Sequence, residues 1–365
     1  MNKKKRVAVA MSGGVDSSVA AAILQKKGYD VFGMTMYFDL AYPRGQRASC
    51  GNTKSVEDAK NVAKSLGIPH KVVDISKVLQ EKVIKDFCRQ YLSGKTPNPC
   101  VRCNELIKFG VLFSQARAWG AEYVSTGHYA RLASSARYGL VLKKAKDLKK
   151  DQSYFLYRVS RDILSRVIFP LGTYTKGQVR SLAFDFKLPV SDKPDSQEIC
   201  FLPQSDYREF LKEYAYARIK PGRVIDARGN LLGEHQGAAF YTIGQRGGLG
   251  IALGHPAYVT NIDYRKNTVT LGAQAAACSR EFLIKDICGP FVSRKKKIAL
   301  KVKIRYNHKE MPAELEPVGE KIKAVFAIPQ FAITPGQSAV FYDNDCVLGG
   351  GIIEKVFYSH DEKNI

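Results

Sequence analysis

The feature that most constrains this 365-residue chain is the segment at residues 7–28, VAVAMSGGVDSSVAAAILQKKG. Val7 to Met11 is a short unbroken apolar run, which is typical of a parallel strand buried on both faces. Beyond a Gly/Ser turn, apolar residues recur at helical spacing from Val15 until Gly28 supplies a stop. The segment therefore predicts a buried strand, a tight turn and the N-terminus of a helix.

The turn, residues 12–18, has the properties of an anion site. Its glycines let the backbone approach a ligand, and the helix start offers free N–H groups and a favourable dipole. The ordinary P-loop ends in Gly-Lys-Ser/Thr, and this turn contains no Lys. It is therefore less suited to γ-phosphoryl transfer and suits a reaction in which pyrophosphate leaves and AMP stays on the substrate. A Gly/Ser-rich turn without any ligand is the plain alternative.

The letters SGGVDSS resemble the PP-loop of the ATP pyrophosphatase superfamily, whose members adenylylate a substrate. This resemblance implies a class of chemistry but no particular substrate.

Strand-like and helix-like patterns alternate up to about residue 130, which predicts an α/β fold with a doubly wound parallel sheet. Beyond Pro221 the chain becomes rich in Gly and short β-like runs, and from about residue 280 strands alternate with turns as in a small β-barrel. We therefore expect a PP-loop ATP-binding domain over residues 1–205, a small β-rich central domain over residues 206–275 and a C-terminal β-barrel over residues 276–365.

The net charge and the absence of long apolar runs in the sequence indicate which partners and which cellular compartment to expect. The formal net charge of +23 favours a polyanionic partner, most simply RNA or DNA, over a merely solubilising surface. No apolar run approaches the roughly 18 residues of a membrane helix, and the basic start is followed by too few apolar residues for a secretory signal. We expect a cytosolic protein without a membrane partner, in which the eight cysteines form no disulfide framework.

A second motif is Asn98-Pro99-Cys100-Val101-Arg102-Cys103-Asn104. Asn98 is a good N-cap and Pro99 suits the first helical position, so Cys100 and Cys103 lie near the start of a helix on one face. The helix N-terminus and Arg102 are expected to lower a thiol pKa, which would favour a reactive sulfur. A structural zinc site would need a second C-x-x-C, which the chain lacks, and two inert cysteines remain the other alternative.

A third motif, Asp195-Ser196-Gln197-Glu198-Ile199-Cys200-Phe201, places a cysteine in a polar segment. Together with SGGVDSS and NPCVRCN it resembles the tRNA-specific 2-thiouridylases over essentially the whole chain. The likeness extends to further short segments: residues 126–130, 150–152, 241–246, 305–306, 335–337 and 349–351.

The family converts the wobble uridine (position 34) of certain tRNAs to 2-thiouridine with ATP and a protein-borne sulfur. The resemblance implies that Cys200 carries a persulfide and that Cys103 is the partner nucleophile able to form a disulfide with it. It implies ATP contacts at Ala10, Met11, Ser12, Gly13, Gly14, Val15, Asp16, Ser17, Met36 and Gly127, and target-base contacts at Asn98, Pro99 and Cys100. It implies tRNA contacts at His128, Lys150, Asp151, Gln152, Arg305, Tyr306 and Gln337.

Several alternatives stay open at this point. Cys100, Cys103 and Cys200 could bind a [4Fe-4S] cluster with one iron site open for sulfide, although such clusters more often use four cysteines. A PP-loop amide-forming ligase would leave the paired thiols unused, and so would a non-catalytic RNA-binding protein. Mg²⁺ is expected with ATP, with Asp16 as a candidate ligand. A cysteine desulfurase or a sulfur-relay carrier is the expected sulfur donor.

Overall fold

The predicted strand, turn and helix are present at the start of the chain. A computed structural model describes residues 4–40, 51–195, 199–202, 206–215, 218–251, 253–289 and 296–358. In it β1 spans Arg6–Ala10 and α1 spans Val15–Lys26. Val7 and Val9 pack in the cluster that includes α1, whereas Ala8 packs in a second cluster with Leu112. Since successive side chains of a strand point to opposite faces, β1 is covered on both sides.

The parallel sheet explains why several loops meet at one edge. Its strands are β1, β2 (Asp30–Tyr37), β3 (His70–Asp74), β4 (Tyr123–Thr126) and, after the hairpin of β5 (Arg131–Ser135) and β6 (Gly139–Lys143), β7 (Val167–Ile168). They lie in the order β3-β2-β1-β4-β7, and all neighbours are parallel. Ala10 at the end of β1 stands opposite Met34 and Thr126. The order reverses beside β1, which is where ligands bind in open α/β sheets.

The helices follow the predicted periodicity, with two π-helical stretches inside them. They are α2 (Thr53–Leu66), α3 (Ser76–Leu79), a π-helix (Gln80–Ile84), α4 (Lys85–Leu92), α5 (Pro99–Cys103), a second π-helix (Asn104–Val111), α6 (Leu112–Ala118), α7 (Arg161–Leu164), α8 (Lys176–Asp185) and α9 (Tyr207–Ala215). Short 3₁₀ turns occupy Ser153–Leu156, Pro170–Thr173, Ala238–Phe240 and Gln274–Ala277. Among the described residues, no helix is both long enough and apolar enough to span a bilayer.

The chain divides into two units. The first comprises residues 1–84, 99–207 and 345–347, and it contains the parallel sheet. It also contains the β5–β6 hairpin, whose second strand pairs with Cys346 and Val347. The second comprises residues 85–98, 208–344 and 348–365. The predicted three-part division, with boundaries at 205 and 275, stays a prediction.

The second unit holds two β structures. Its smaller sheet has the order β10-β11-β8-β9, formed by β8 (Gly222–Ile225), β9 (Leu231–His235), β10 (Tyr258–Asp263) and β11 (Thr268–Gly272). The larger is formed by β12 (Cys278–Cys288), β13 (Ile298–Lys303), β14 (Met311–Val318), β15 (Lys321–Phe331), β16 (Ser338–Asp343) and β17 (Cys346–Phe357). Because β12 pairs with both β15 and β17, these six strands close into a barrel without a free edge. The predicted fold class is confirmed.

Candidate active site

The Gly/Ser turn is braced by its own hydroxyl groups. The Ser17 hydroxyl accepts from the Ser12 backbone N–H at 3.1 Å and donates to the Gly14 carbonyl at 3.2 Å, and the Ser18 hydroxyl donates to the same carbonyl at 2.8 Å. Gly14 is the N-cap of α1 and provides no side-chain cap. The first N–H groups of α1 are therefore available to an anion, as the sequence predicts.

Two glycines let other segments approach this turn. Gly13 has φ of +70°, and a Cβ built on it would lie 2.5 Å from the Ser55 carbonyl oxygen. A Cβ on Gly127 would lie 2.7 Å from the Ser17 nitrogen. The predicted ATP residues of β1, α1 and the β4 end are thus brought together, and only a glycine fits at residue 127.

The other predicted ATP residues divide between core and surface. Met11 and Val15 are buried and belong to the cluster around α1. Ala10 and Met36 are half-buried at the carboxyl ends of β1 and β2, while Ser12 is exposed. Ala10, Met36 and Ser12 have surface that a nucleotide can contact, whereas Met11 and Val15 can contribute through their backbone.

Lys176, which sequence reasoning missed, reaches the turn from the first position of α8. Its Nζ lies 2.7 Å from Asp16 Oδ1, which also accepts from the Tyr129 hydroxyl at 2.8 Å. Burial and the Asp16 carboxylate raise the pKa of Tyr129, so this phenol stays protonated and donates. A capping box between Thr175 and Gln178 marks the start of α8, but nothing local marks Lys176 as a neighbour of the turn.

Lys193 is the second missed lysine. Its Nζ donates to the Gly13 carbonyl at 2.9 Å and lies 2.6 Å from Asp58 Oδ2. The turn has no Lys of its own, but tertiary contacts bring two ammonium groups to it.

Asp195, the first residue of the third motif, is a shared acceptor for three basic side chains. Lys150, Lys176 and Arg180 each contact its carboxylate, at 2.9, 2.8 and 2.8 Å. Burial acts to raise the pKa of Asp195, but the bonds from Lys176 and Lys150 outweigh it and lower the pKa to about 2. The carboxylate is therefore ionised at neutral pH and links Lys176 to the segment that leads to Cys200.

The predicted cysteine helix begins at Pro99, and α5 carries both Cys100 and Cys103. The expected lowering of a thiol pKa is wrong for Cys100. Burial of its sulfur, reinforced by Cys103, raises the pKa of the Cys100 thiol to about 11 despite the opposing effect of Lys108. Arg102 is engaged elsewhere, because its Nη1 pairs with Glu105 Oε2 at 2.8 Å.

The π-helix that continues α5 is held to the 3₁₀ turn at Ser153–Leu156 and to Arg158 just beyond it. Glu105 Oε2 also pairs with Arg158 Nε at 2.8 Å, and the Asn104 amide donates to the Phe155 carbonyl at 3.1 Å. These contacts fix the orientation of α5 within the first unit.

Cys103 and Cys200 lie in the same unit as the Gly/Ser turn. Cys103 is buried and Cys200 is half-buried. Residues 196–198 of the third motif lie outside the described residues. The roles predicted for the two cysteines, and their pairing as a disulfide, stay predictions.

His128, a predicted tRNA contact, is buried and bonded within the protein. Its Nδ1 lies 2.6 Å from the Thr126 hydroxyl and its Nε2 lies 3.4 Å from Lys108 Nζ. Burial and the Lys108 charge hold the pKa of His128 well below its usual value, so the ring is neutral at pH 7. A neutral ring is suited to hydrogen bonding and unsuited to pairing with phosphate.

The 150–152 segment is braced in a similar way. Asp151 is buried and accepts from the Ala145 N–H at 2.9 Å and the Ser153 hydroxyl at 2.8 Å. The Gln152 side chain accepts from the Tyr129 N–H at 2.9 Å. Asp151 and Gln152 hold this loop in place, and their predicted role in tRNA contact stays a prediction.

The remaining residues predicted to contact tRNA lie in the second unit. Arg305 donates to the Phe331 and Ala332 carbonyls at 3.0 and 3.2 Å, and Lys303 lies over the Tyr306 ring. Gln337 donates to the carbonyls of residues 96 and 97 at 2.9 and 3.3 Å. Asn98 also falls in this unit and is half-buried.

The side chains near the turn offer few ligands for a metal. Within the described part of the chain, no three His, Cys, Asp or Glu side chains are grouped closely enough to hold a metal ion. Cys100, Cys103 and Cys200 as they stand do not fit an iron–sulfur cluster. Mg²⁺ is commonly held through one or two carboxylates and substrate phosphates, a demand that Asp16 at the turn can meet.

Three family models together match most of the chain. A tRNA methyl transferase HUP domain model matches residues 5–204, a tRNA methyl transferase PRC-barrel domain model matches residues 208–273, and an aminomethyltransferase beta-barrel domain model matches residues 279–353.

Curated relatives are similar over nearly their full lengths. The tRNA-specific 2-thiouridylase of Caldanaerobacter subterraneus subsp. tengcongensis is 48% identical over 363 residues, covering 97% of this chain and 99% of the relative. Those of Desulforamulus reducens and Clostridium acetobutylicum are each 46% identical, covering 96% and 97% of this chain and 98% and 100% of the relatives. Two domain models are described as methyl transferase, but these relatives match 96–97% of the chain, so their shared name decides the family. The chain belongs to the tRNA-specific 2-thiouridylase family.

Proposed function

We propose that the protein is a tRNA-uridine 2-sulfurtransferase that uses ATP to replace the C2 oxygen of the wobble uridine (position 34) with sulfur. The observation that carries the proposal is the presence, in one unit, of a helix N-terminus without a side-chain cap, which suits phosphate, and of the two cysteines Cys103 and Cys200. The relatives' shared name supports the same substrate.

The first step makes the uracil carbonyl reactive. Its oxygen is a poor leaving group, so the O2 atom attacks the α-phosphorus of ATP, and the bond from that phosphorus to the β-phosphate oxygen breaks. Pyrophosphate leaves, and AMP becomes the leaving group on C2. The residues proposed to hold ATP are those of the turn, with Met36 and Gly127 beside it.

The second step transfers sulfur. The terminal sulfur of a Cys200 persulfide attacks C2 and AMP departs; Cys103 then attacks the inner sulfur, which leaves 2-thiouridine and a Cys103–Cys200 disulfide. Alternatively, Cys103 first releases the terminal sulfur as sulfide, which attacks C2. Either route needs a thiol reductant and a persulfide donor, for which we propose a cysteine desulfurase or a sulfur-relay carrier.

Binding of tRNA is proposed to depend on the excess of basic residues. A charge of +23 favours a polyanion, and the affinity of such a complex falls steeply as salt is added. An affinity for tRNA that does not respond to salt would contradict this part of the proposal. Asn98, Pro99 and Cys100 are proposed to contact the target base, which must leave the anticodon loop to be reached.

The test measures products and intermediates together. Purified protein, ATP, persulfide donor and unmodified tRNA are expected to give 2-thiouridine, detected by nucleoside mass spectrometry, with pyrophosphate released only when tRNA is present. Cys200→Ser is expected to abolish thiolation while leaving tRNA affinity unchanged. Cys278→Ser, which alters a cysteine of the second unit, is the matched control and is expected to retain activity.

Other outcomes identify the alternatives. Release of pyrophosphate with a small amine and without tRNA would favour an amide-forming ligase. Binding of tRNA with no pyrophosphate release at all would favour a non-catalytic RNA-binding protein. Full activity of Cys200→Ser would refute the persulfide route.

A further inference from the structure

We propose that Lys176 is the cation that holds the departing pyrophosphate, taking the place of the lysine that the Gly/Ser turn lacks. This inference rests on the proposed function, because it names how that reaction stabilises its leaving group. It concerns a residue in α8, 160 positions away from the turn in the chain.

The position of the ammonium group is the first observation. Lys176 Nζ contacts Asp16 Oδ1 at 2.7 Å and Asp195 Oδ1 at 2.8 Å, and its side chain is only 12% exposed. An ammonium group has three N–H donors. These two ion pairs engage two of them, and a third is available beside the first turn of α1.

The charge of Asp16 is the second observation. Asp16 lies in the first turn of α1, next to the N–H groups on which an anion would bind. A carboxylate there repels a phosphate unless a cation stands between them. Lys176 supplies that cation, and because it is held from two sides its position changes little when the ligand arrives.

The third observation is what holds the lysine in place. Asp195 is ionised at neutral pH and binds Lys176 through Oδ1 at 2.8 Å. Arg180 binds the same oxygen at 2.8 Å, and its other contact is with the Lys193 carbonyl. Asp195 is therefore a positioning residue for Lys176.

The consequence for the reaction is local. When the α-phosphorus of ATP is attacked, negative charge develops on the oxygen that bridges to the β-phosphate. A pre-positioned ammonium group stabilises this charge more than it stabilises bound ATP, so it raises the rate of the step. No proton is transferred, and pyrophosphate leaves bound to the lysine.

The experiment compares two variants that disturb Asp195 alike but only one of which removes the cation at the turn. Inorganic pyrophosphate is titrated into the full-length protein by calorimetry, without tRNA. Lys176→Gln is expected to weaken pyrophosphate binding about tenfold or more, the loss of one charge-assisted hydrogen bond. Arg180→Gln is expected to change it less than about threefold. Lys176→Arg, which keeps the charge, is expected to recover part of the affinity.

The rate of tRNA-dependent pyrophosphate release gives an independent readout. Lys176→Gln is expected to lower the maximal rate about 100-fold, as removal of a group that stabilises developing charge does, with a smaller change in KM for tRNA. If Lys176→Gln and Arg180→Gln lower this rate equally, the proposal is overturned, because the loss would then come from the disturbance of Asp195 that the two variants share. Unchanged pyrophosphate affinity in Lys176→Gln would also overturn it, while normal thiolation by the wild type would leave the proposed function intact.

A measurement on the wild type covers the case in which Lys176→Gln does not fold. Lysine acetylation is followed by peptide mass spectrometry with and without pyrophosphate. Pyrophosphate is expected to slow the labelling of Lys176 and to leave unchanged that of Lys212, whose ion pair with Glu209 lies on the surface. Equal labelling of Lys176 with and without pyrophosphate would overturn the proposal.

Discussion

Replacing Gly127 with alanine tests how the end of β4 is joined to the Gly/Ser turn. The added Cβ would lie 2.7 Å from the Ser17 nitrogen and 2.9 Å from the Asp16 carbonyl carbon. The closer of these distances is about 0.7 Å shorter than ordinary van der Waals contact. Both contacts are with backbone, which cannot rotate away as a flexible side chain would, so the first turn of α1 must shift.

The cost can be estimated from overpacking in other cores. An added methyl group that forces a backbone shift destabilises a protein by about 1–3 kcal/mol. For a unit of this size that corresponds to a fall in Tm of about 4–8 °C at the middle of the range. Because the Ser17 N–H is displaced as well, we expect the Kd for ATP to rise about tenfold, the loss of one hydrogen bond.

Calorimetry measures both quantities, by thermal scans with and without ATP and by titration with ATP. Gly247→Ala is the matched control, because nothing lies within 4 Å of its added Cβ. It is expected to leave Tm and ATP affinity unchanged. If Gly127→Ala behaves like Gly247→Ala in both measurements, the reasoning from close backbone approach is refuted.

Three smaller predictions concern charges and thiols. Because burial raises the pKa of the Cys100 thiol to about 11, its alkylation, followed by peptide mass spectrometry, is expected to increase with pH up to at least about pH 10; a plateau near pH 8 would contradict this. Burial acts to raise the pKa of Asp195, but its basic partners lower this pKa to about 2, whereas the unfolded value is about 3.9. The stabilising contribution of the Asp195 carboxylate is therefore present above pH 4 and is lost as the pH falls towards 2. The Tm difference between the wild type and Asp195→Asn is expected to shrink over that window, and a constant difference would be evidence against it. Glu105→Gln removes the charge that pairs with two arginines, and it is expected to destabilise the protein by about 1–3 kcal/mol in urea titrations. Glu209→Gln removes one exposed ion pair with a lysine and is expected to cost less than about 1 kcal/mol. Equal losses of stability in the two variants would contradict the argument that the more buried glutamate contributes more.

The architecture could be predicted from local patterns. The apolar run of β1, the helical spacing of α1 and the alternation that follows specify a parallel sheet, because strand and helix periodicities depend only on residues close in the chain. The Gly/Ser turn and the position of Cys100 and Cys103 at the start of a helix are local in the same sense. The family resemblance adds the expected roles of these residues.

The electrostatic environment could not be predicted in this way. Lys176 and Lys193 are 160 and 180 residues away from their partners in the turn, and no periodicity records such a contact. The sequence placed Cys100 beside a helix N-terminus and an arginine, but packing buried its sulfur and Glu105 took the arginine. The sequence by itself determined which elements form and where the turn lies. Only the tertiary structure decided which charges surround them, because burial and ion pairing depend on segments that meet after folding.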